Sequence, residues 1–288
     1  MRVLYPTDGR LPAIGAAKLL TAIGDPATIE VTVLHVDEYG NKLIANRVAE
    51  EVLGETVKQL AGSGFAAAAK RAGGGVKHAI EHELAAGEHE LVAMGTGNTG
   101  RLGSFVLGGV STFVLHRSSV STLVAHRPPN EGRDGVRVVV GTDGSAAARR
   151  GIDTLIAFAR PDRCDIFVRS VVELQLSPPV GLAETAIPPT DALGRAMDVA
   201  TEDADRFVRE ALERFSDAGF GCDGDVVRGS AEVALLDVVH DRDADLVVVG
   251  TRGRGRFAAV TLGSVSAHLV RAAPATLVAP APGTDNDG

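Results

Sequence analysis

The chain has 288 residues, 45% of them hydrophobic and 23% charged, with a formal net charge of −8. That length exceeds one ordinary domain and predicts two, each large enough to bury a core. The acidic balance argues against a sequence-independent binder of nucleic acid or of anionic membrane, although a local basic loop can survive inside it.

Two cysteines, Cys164 and Cys222, are too few for a disulfide framework and lack metal-type spacing, so both read as buried thiols. Met1 leads directly into Val3-Leu4-Tyr5 without a basic-then-apolar leader, and no window holds 18 apolar residues. The expectation is a cytoplasmic chain with no membrane span.

Taken in order, the chain repeats itself. Val3-Leu4-Tyr5-Pro6-Thr7-Asp8-Gly9 returns as Val138-Val139-Val140-Gly141-Thr142-Asp143-Gly144, an offset of 135 residues from Asp8 to Asp143. Farther on the offset is 155, and ten of the 21 pairs from Leu91/Leu246 to Ser111/Ser266 are identical. The growth in offset is an insertion in the second copy at Gln175 to Thr190, rich in proline and predicted to be a loop.

Each copy alternates strand and helix, the pattern of a parallel sheet with helices on both faces. The first-copy strands are expected near Arg2–Tyr5, Glu30–Val36, Phe65–Lys70, Glu90–Met94 and Thr122–Ala125. Propensity alone makes Phe65–Lys70 helical, because four of its six residues are alanine. Its second-copy partner, Phe220-Gly221-Cys222-Asp223, is a poor helix and precedes Val226-Val227 as a strand would, so both are read as strands. Arg127-Pro128-Pro129-Asn130-Glu131-Gly132 reads as a linker. The domains are thus 1–127 and 136–280, with 281–288 a disordered tail.

The most informative stretch is Leu246 to Ser266. Leu246-Val247-Val248-Val249 reads as a strand buried on both faces, Gly250 ends it, and Gly263-Ser264 opens an apolar-periodic helix. Ser264 therefore lies where a helix start leaves unpaired N–H groups and favours an anion. Glycines at 253 and 263 permit positive φ and close approach of backbone to phosphate. Arg252, Arg254 and Arg256 lie in the loop, where one of them could neutralise phosphate. Asp143 follows a strand and precedes a helix, which places it at the ligand-binding edge of an open α/β sheet; the alternative is an N-cap for that helix.

Gly250, two residues, Gly253, nine residues, Gly263, Ser264 is the spacing that resembles the ATP-binding branch of the universal stress protein family, and the resemblance covers about Arg2 to His126 and Val136 to Ala279. It implies two tandem flavodoxin/Rossmann-like domains, each a five-stranded parallel sheet of order 3-2-1-4-5, packed as an intrachain pseudo-dimer through the last strands, Thr122–Ala125 and Thr276–Ala279. A further homodimer and an unknown protein partner stay open. It implies ATP, with Mg2+ or Mn2+ in some members, held by Thr142, Asp143, Val171, Val249, Gly250, Arg252, Gly253, Gly263, Ser264, Val265 and Ser266. In that family the aspartate contacts the adenosine end and the valine ending the second strand lies against the base. The first-copy matches are Thr7, Asp8, Val36, Met94, Gly95, Asn98, Gly108, Gly109, Val110 and Ser111. There the pattern departs at Asn98 and Gly109, and one arginine, Arg101, replaces three, so the first site is expected to be weaker or empty.

Other motifs fail on their own terms. Gly95-Thr96-Gly97-Asn98-Thr99-Gly100 spells a dinucleotide fingerprint, yet no acidic residue occurs between Glu90 and Glu131 to hold a ribose. No P-loop is present. His78-Ala79-Ile80-Glu81-His82 fits a zinc-protease pattern, but the second copy has Val233, Leu236 and Asp237 there, so an exposed helix is the reading. No nucleophile, catalytic base or Ser/His/Asp set is legible. The family reading is a stress-response or regulatory protein that binds ATP without fast turnover; the competitors are a slow ATPase or nucleotide transferase, and an interaction module whose proline-rich insertion docks a partner.

Overall fold

The computed structural model describes residues 1–8, 11–37, 42–96, 105, 107–173, 190–251, 253 and 262–281. The first half runs β1 (Arg2–Pro6), α1 (Leu11–Ile23), β2 (Glu30–Asp37), α2 (Lys42–Gly62), β3 (Ala66–Gly73), α3 (Val76–Ala85), β4 (Leu91–Gly95), α4 (Gly109–Arg117) and β5 (Ser121–Ala125). The second repeats it as β6 (Val136–Gly141), α5 (Ala146–Phe158), β7 (Cys164–Val172), α6 (Thr190–Asp217), β8 (Gly221–Arg228), α7 (Ala231–Asp241), β9 (Leu246–Gly250), α8 (Ser264–Ala272) and β10 (Ala275–Ala279). Both halves have the order 3-2-1-4-5, and they join into one sheet, β3-β2-β1-β4-β5-β10-β9-β6-β7-β8.

Every described strand pair within a half is parallel, and the seam alone is antiparallel: Ala275 faces Ala125, Thr276 faces Val124, Leu277 faces Leu123 and Val278 faces Thr122. The two edges expected to meet do so inside one chain, as a continuous ladder. Each would otherwise present a row of unpaired N–H and C=O groups. Central strands are mostly apolar because helices cover both faces; β5 and β10 are buried at every position, their hydroxyl residues included. The helices α1 and α5 meet across the seam, where Asp25 N–H donates to Phe158 O at 3.0 Å and Arg160 N–H to Ile23 O at 2.6 Å. Buried hydroxyls of Ser121 and Thr154 bond at 2.7 Å, tying β5 to α5.

The alanine-rich segment is strand β3, paired residue by residue with β2 from Glu30/Ala66 to Asp37/Gly73. Ladder formation outweighs the intrinsic helix preference of alanine. The strand also begins one residue later and ends three residues later than expected, because β2 offers partners that far. Cys164 is buried, which pushes its thiol up to about 12. Cys222 is a correction: it is only half-buried, because β8 is an outer edge with nothing beyond it. Thr190, expected in the inserted loop, opens α6; residues 175–189 and 282–288 lie outside the described residues. His78, Glu81 and His82 are exposed on α3, as read.

The linker is strapped to the second half through one buried carboxylate. Asp245 accepts from Asn130 N–H at 2.8 Å, Arg133 Nη2 at 2.6 Å and Arg137 N–H at 3.0 Å. Arg133 also reaches Asp243 Oδ2 at 2.9 Å. Removing one partner of a buried ion pair strands the other's charge, typically at several kcal/mol. Asp245→Ala is therefore expected to lower unfolding free energy by about 3 kcal/mol in urea titration, well beyond an exposed-site change.

Burial holds the imidazoles of His89 and His126 below their ordinary value. The unfolded chain, with histidines near 6.5, takes up protons that the folded chain resists. Their stabilising contribution is thus complete above about pH 6.5 and is lost as pH falls from there toward the folded values. The urea midpoint is expected to drop between pH 7 and pH 5.5, and to drop less in His126→Gln.

Candidate functional site

The carboxyl ends of β6, β7 and β9 open into a cavity of about 790 Å³ in the second half. After β6 the chain turns sharply. Thr142 N–H prolongs the ladder to Arg169 O at 3.0 Å, Asp143 Oδ1 accepts from Ser145 N–H at 3.0 Å, and Gly144 takes φ +70°. A Cβ on Gly144 would stand 2.3 Å from the Phe207 ring, so space and conformation both require glycine. The N-cap of α5 is Ser145, whose Oγ accepts from Ala148 N–H at 3.2 Å. This corrects the capping alternative for Asp143. Asp143 holds the turn with Oδ1 and sets Oδ2 beside Gly253, where a Cβ would lie 2.9 Å away.

The loop between β9 and α8 is drawn tight at its ends. Thr251 N–H donates to Ala279 O and Gly263 N–H to Thr251 O, both at 2.7 Å. The buried Ser266 hydroxyl bridges Thr251 O at 3.1 Å and Gly263 O at 3.0 Å, so its proton closes the loop. Gly263 is the N-cap of α8 with φ −73° and ψ 166°. That is ordinary extended backbone, so the expected need for positive φ does not apply at this glycine. Gly250 serves packing: a Cβ there would meet Ala147 Cβ at 2.7 Å and Ala148 N at 2.9 Å. It lets α5 lie directly on β9.

Three helix N-termini border the cavity, and each has unpaired N–H groups and positive dipole character. At α5 Ser145 supplies a cap. At α7 the Glu173 carboxylate, from the end of β7, accepts from Ala231 N–H. At α8 the N-cap is Gly263, which has no side chain to cap the helix, none of the described residues is seen to cap it, and Ser264 stands at its first position.

Of the eleven second-half residues expected at the site, ten line the cavity: Thr142, Asp143, Val171, Val249, Gly250, Gly253, Gly263, Ser264, Val265 and Ser266. Arg252, with Arg254 and Arg256, lies outside the described residues. The wall missed from sequence is α6, which contributes Ala196, Val199, Ala200, Asp203, Ala204 and Phe207. Val199 is 60% exposed, an apolar side chain left uncovered at the cavity wall. The signal was present in the spacing Ala196, Ala200, Ala204, Phe207, one face of a helix. Ser170, Glu173 and Leu235 were also missed. Arg169 lines the cavity with its charge already engaged, by Asp225 at 2.8 and 2.6 Å and by Ala234 O at 3.0 Å.

The first half repeats the backbone with different side chains. Thr7 N–H reaches Leu34 O at 2.9 Å, Asp8 is exposed, Val36 and Gly95 are half-buried, and Met94 and Ser111 are buried. Gly108 caps α4 with φ −69° and ψ 161°, the same conformation as Gly263, and Gly109 and Val110 begin the helix. Asn98 lies outside the described residues. Strand register equates His35 and Asp37 with the cavity-lining Ser170 and Val172. His35 Nδ1–H donates to Thr7 O at 3.0 Å, and Asp37 is paired with Arg71. A charged cluster therefore replaces a small, mostly apolar wall.

A sequence model of the Universal stress protein family matches residues 1–126 and 136–279. A curated universal stress protein of Synechocystis sp. is 30% identical over 87 residues, 30% of this chain and 56% of that one, so the match spans about half the relative's length. Among solved structures, a universal stress protein from Archaeoglobus fulgidus is similar with TM-score 0.66 at 21% identity, covering 97% of this chain and 98% of that one. A functionally unknown protein from Pseudomonas aeruginosa is similar with TM-score 0.64 at 16% identity, covering 97% and 92%. These likenesses show the fold. Among the described residues no group of three or more His, Cys, Asp or Glu is arranged to hold a metal, and no helix is long and apolar enough to cross a membrane.

The glycines after β9, Gly250 and Gly253, separate by experiment. Gly250→Ala forces backbone and Cβ contacts in a packed interior and is expected to cost about 2 kcal/mol of stability. Gly253→Ala meets only a carboxylate, which can rotate away, and is expected to stay within about 0.5 kcal/mol of wild type in the same urea titration.

Proposed function

The chain belongs to the universal stress protein family, and from that premise we propose that its second half binds ATP in the cavity at the ends of β6, β7 and β9, as a cytoplasmic stress-response or regulatory protein that holds the nucleotide without fast turnover. One observation carries the reading: α8 faces the cavity with a glycine N-cap and, among the described residues, no side chain seen to cap its N-terminus. The triphosphate takes the amides of Ser264, Val265 and Ser266 together with the Ser264 hydroxyl, and Gly253 leaves room for it beside Asp143. Val171 and the α6 face, Val199 and Ala200 above all, give an apolar slot for a purine, and Asp143 serves the ribose end. Cavities of this size and mixed lining suit a small ligand. A divalent cation, Mg2+ or Mn2+, would take most of its ligands from the phosphates, since the described side chains offer it no ready set.

Binding without fast turnover is the role the family resemblance implies, and the cavity's carboxylates each hold a structural partner through one oxygen. Asp143 accepts from Ser145 N–H, Asp203 from Arg206 at 2.5 Å, and Glu173 from Ala231 N–H. The first half keeps the helix terminus at α4 but loses the slot to His35 and Asp37, which adds to the missing hydroxyl at Gly109. We therefore expect one tight site, with the first half empty or at least tenfold weaker.

Calorimetric titration of ATP checks this in wild type, in Asp143→Ala/Ser264→Ala and in Asp8→Ala. A hydrogen bond to a charged group is worth roughly 1.5–3 kcal/mol, and about 1.4 kcal/mol is tenfold in affinity. The double variant should thus lose the tight phase and Asp8→Ala should keep it. The opposite result would place the working site in the first half. Radiolabelled ATP left with nucleotide-free protein should come back intact; steady release of ADP would make the protein an ATPase.

A further inference from the structure

The end of α8 remote from the cavity is completed by the first half of the chain. This helix has nine residues, too few to be stable by itself, and its last carbonyls lack intrahelical partners. Leu269 O accepts from Ala273 N–H at 2.8 Å. The next two are satisfied across the seam: Val270 O by His126 Nε2 at 2.5 Å, and Arg271 O by the backbone N–H of Phe105 at 2.9 Å. His126 N–H also donates to Pro274 O at 2.9 Å.

The histidine is held in one tautomer. A carbonyl only accepts, so Nε2 carries the proton and Nδ1 accepts from the Thr96 hydroxyl, at the start of the first half's glycine-rich loop. The ring lies flat on Phe105, with centroids 4.2 Å apart and planes 4° apart. Burial keeps the imidazole neutral by holding it below its ordinary value. The arrangement runs one way. The repeat aligns Thr122-Leu123-Val124-Ala125-His126 with Thr276-Leu277-Val278-Ala279-Pro280, and proline has neither an imidazole nor an N–H with which to complete α4 in return.

Resting on the reading of α8 as the phosphate-binding helix, we propose that His126 is a positioning residue for the second-half phosphate site, anchoring the C-terminal end of α8 so that the amides at its other end stay ordered and aimed. Two consequences follow. Loss of the anchor lets the short helix fray and shift, which weakens phosphate contacts. The base slot on β7 and α6 does not touch His126 and keeps its affinity.

The experiment compares wild type, His126→Ala and His126→Gln in the full chain, titrating ATP and adenosine and following hydrogen exchange without nucleotide. The amide of Ala267 reports the first turn of α8, where it bonds Gly263 O at 2.9 Å. His126→Ala is expected to weaken ATP about three- to tenfold, to leave adenosine unchanged and to speed Ala267 exchange. His126→Gln, whose amide nitrogen can donate to Val270 O, should recover most of the loss. Equal losses for ATP and adenosine, or Ala267 exchange at the wild-type rate, would overturn the proposal. If wild type binds neither ligand while His126→Ala still speeds Ala267 exchange, the nucleotide reading fails and the anchoring of α8 stands.

Discussion

The pairing of β5 with β10 is the interaction on which the rest of the molecule depends. Two doubly wound sheets of order 3-2-1-4-5 each end in an apolar edge strand, and an apolar edge left open costs backbone hydrogen bonds and invites association. Running the two edges antiparallel closes both at once and relates the halves by an approximate two-fold. From that one ladder follow the meeting of α1 and α5 at the seam, the burial of Ser121 against Thr154, and the approach of His126 to α8. The linker then has a short, defined path, and Asp245 fixes it. A second copy of the chain cannot use the same edges, since the partner strand is already supplied in cis.

Within the second half, hydrogen-bond accounting sets apart the three helix N-termini at the cavity. Three helices aim their N-termini at one cavity, and the dipoles alone would not choose among them. Among the described residues they differ in what occupies their donors: a serine at α5, a glutamate just past β7 at α7, and no side chain at α8. Glycine plays two roles in the same few ångströms. Gly250 and Gly144 keep helices close to strands and rings, whereas Gly253 keeps a space open beside a carboxylate. The first half shows how little the backbone determines by itself. Its helix cap has nearly the same dihedral angles, yet His35, Asp37 and Arg71 occupy the edge where Ser170 and Val172 leave a slot.

Much of this was legible before any coordinates. The repeat was visible as identity between Leu91–Ser111 and Leu246–Ser266, and strand–helix alternation then implied a parallel sheet in each half. Comparing the copies settled Phe65–Lys70 as strand against its own propensity. The glycine and serine spacing placed Gly253, Gly263 and Ser264 in the cavity that now holds them, and Asp143 with them. The misses share one cause. Asp143 was weighed as a helix cap because a cap and a turn residue look alike two positions apart; Cys222 was taken as buried because a strand does not say whether it is central or outermost.

What the sequence by itself determined is whatever depends on neighbours in the chain: hydrophobic period, the places where helices start, the glycine spacing and the duplication. What only the tertiary structure decided is whatever depends on residues far apart in sequence arriving at one point. The wall that α6 lends to the cavity, the glutamate past β7 that bonds the start of α7, the Asp37–Arg71 pair at the matching edge of the first half and the histidine that completes α8 are all contacts of that kind. Their energies exist only once the sheet has closed across β5 and β10, because burial and hydrogen-bond partnership are properties of the assembled surroundings and not of the residue.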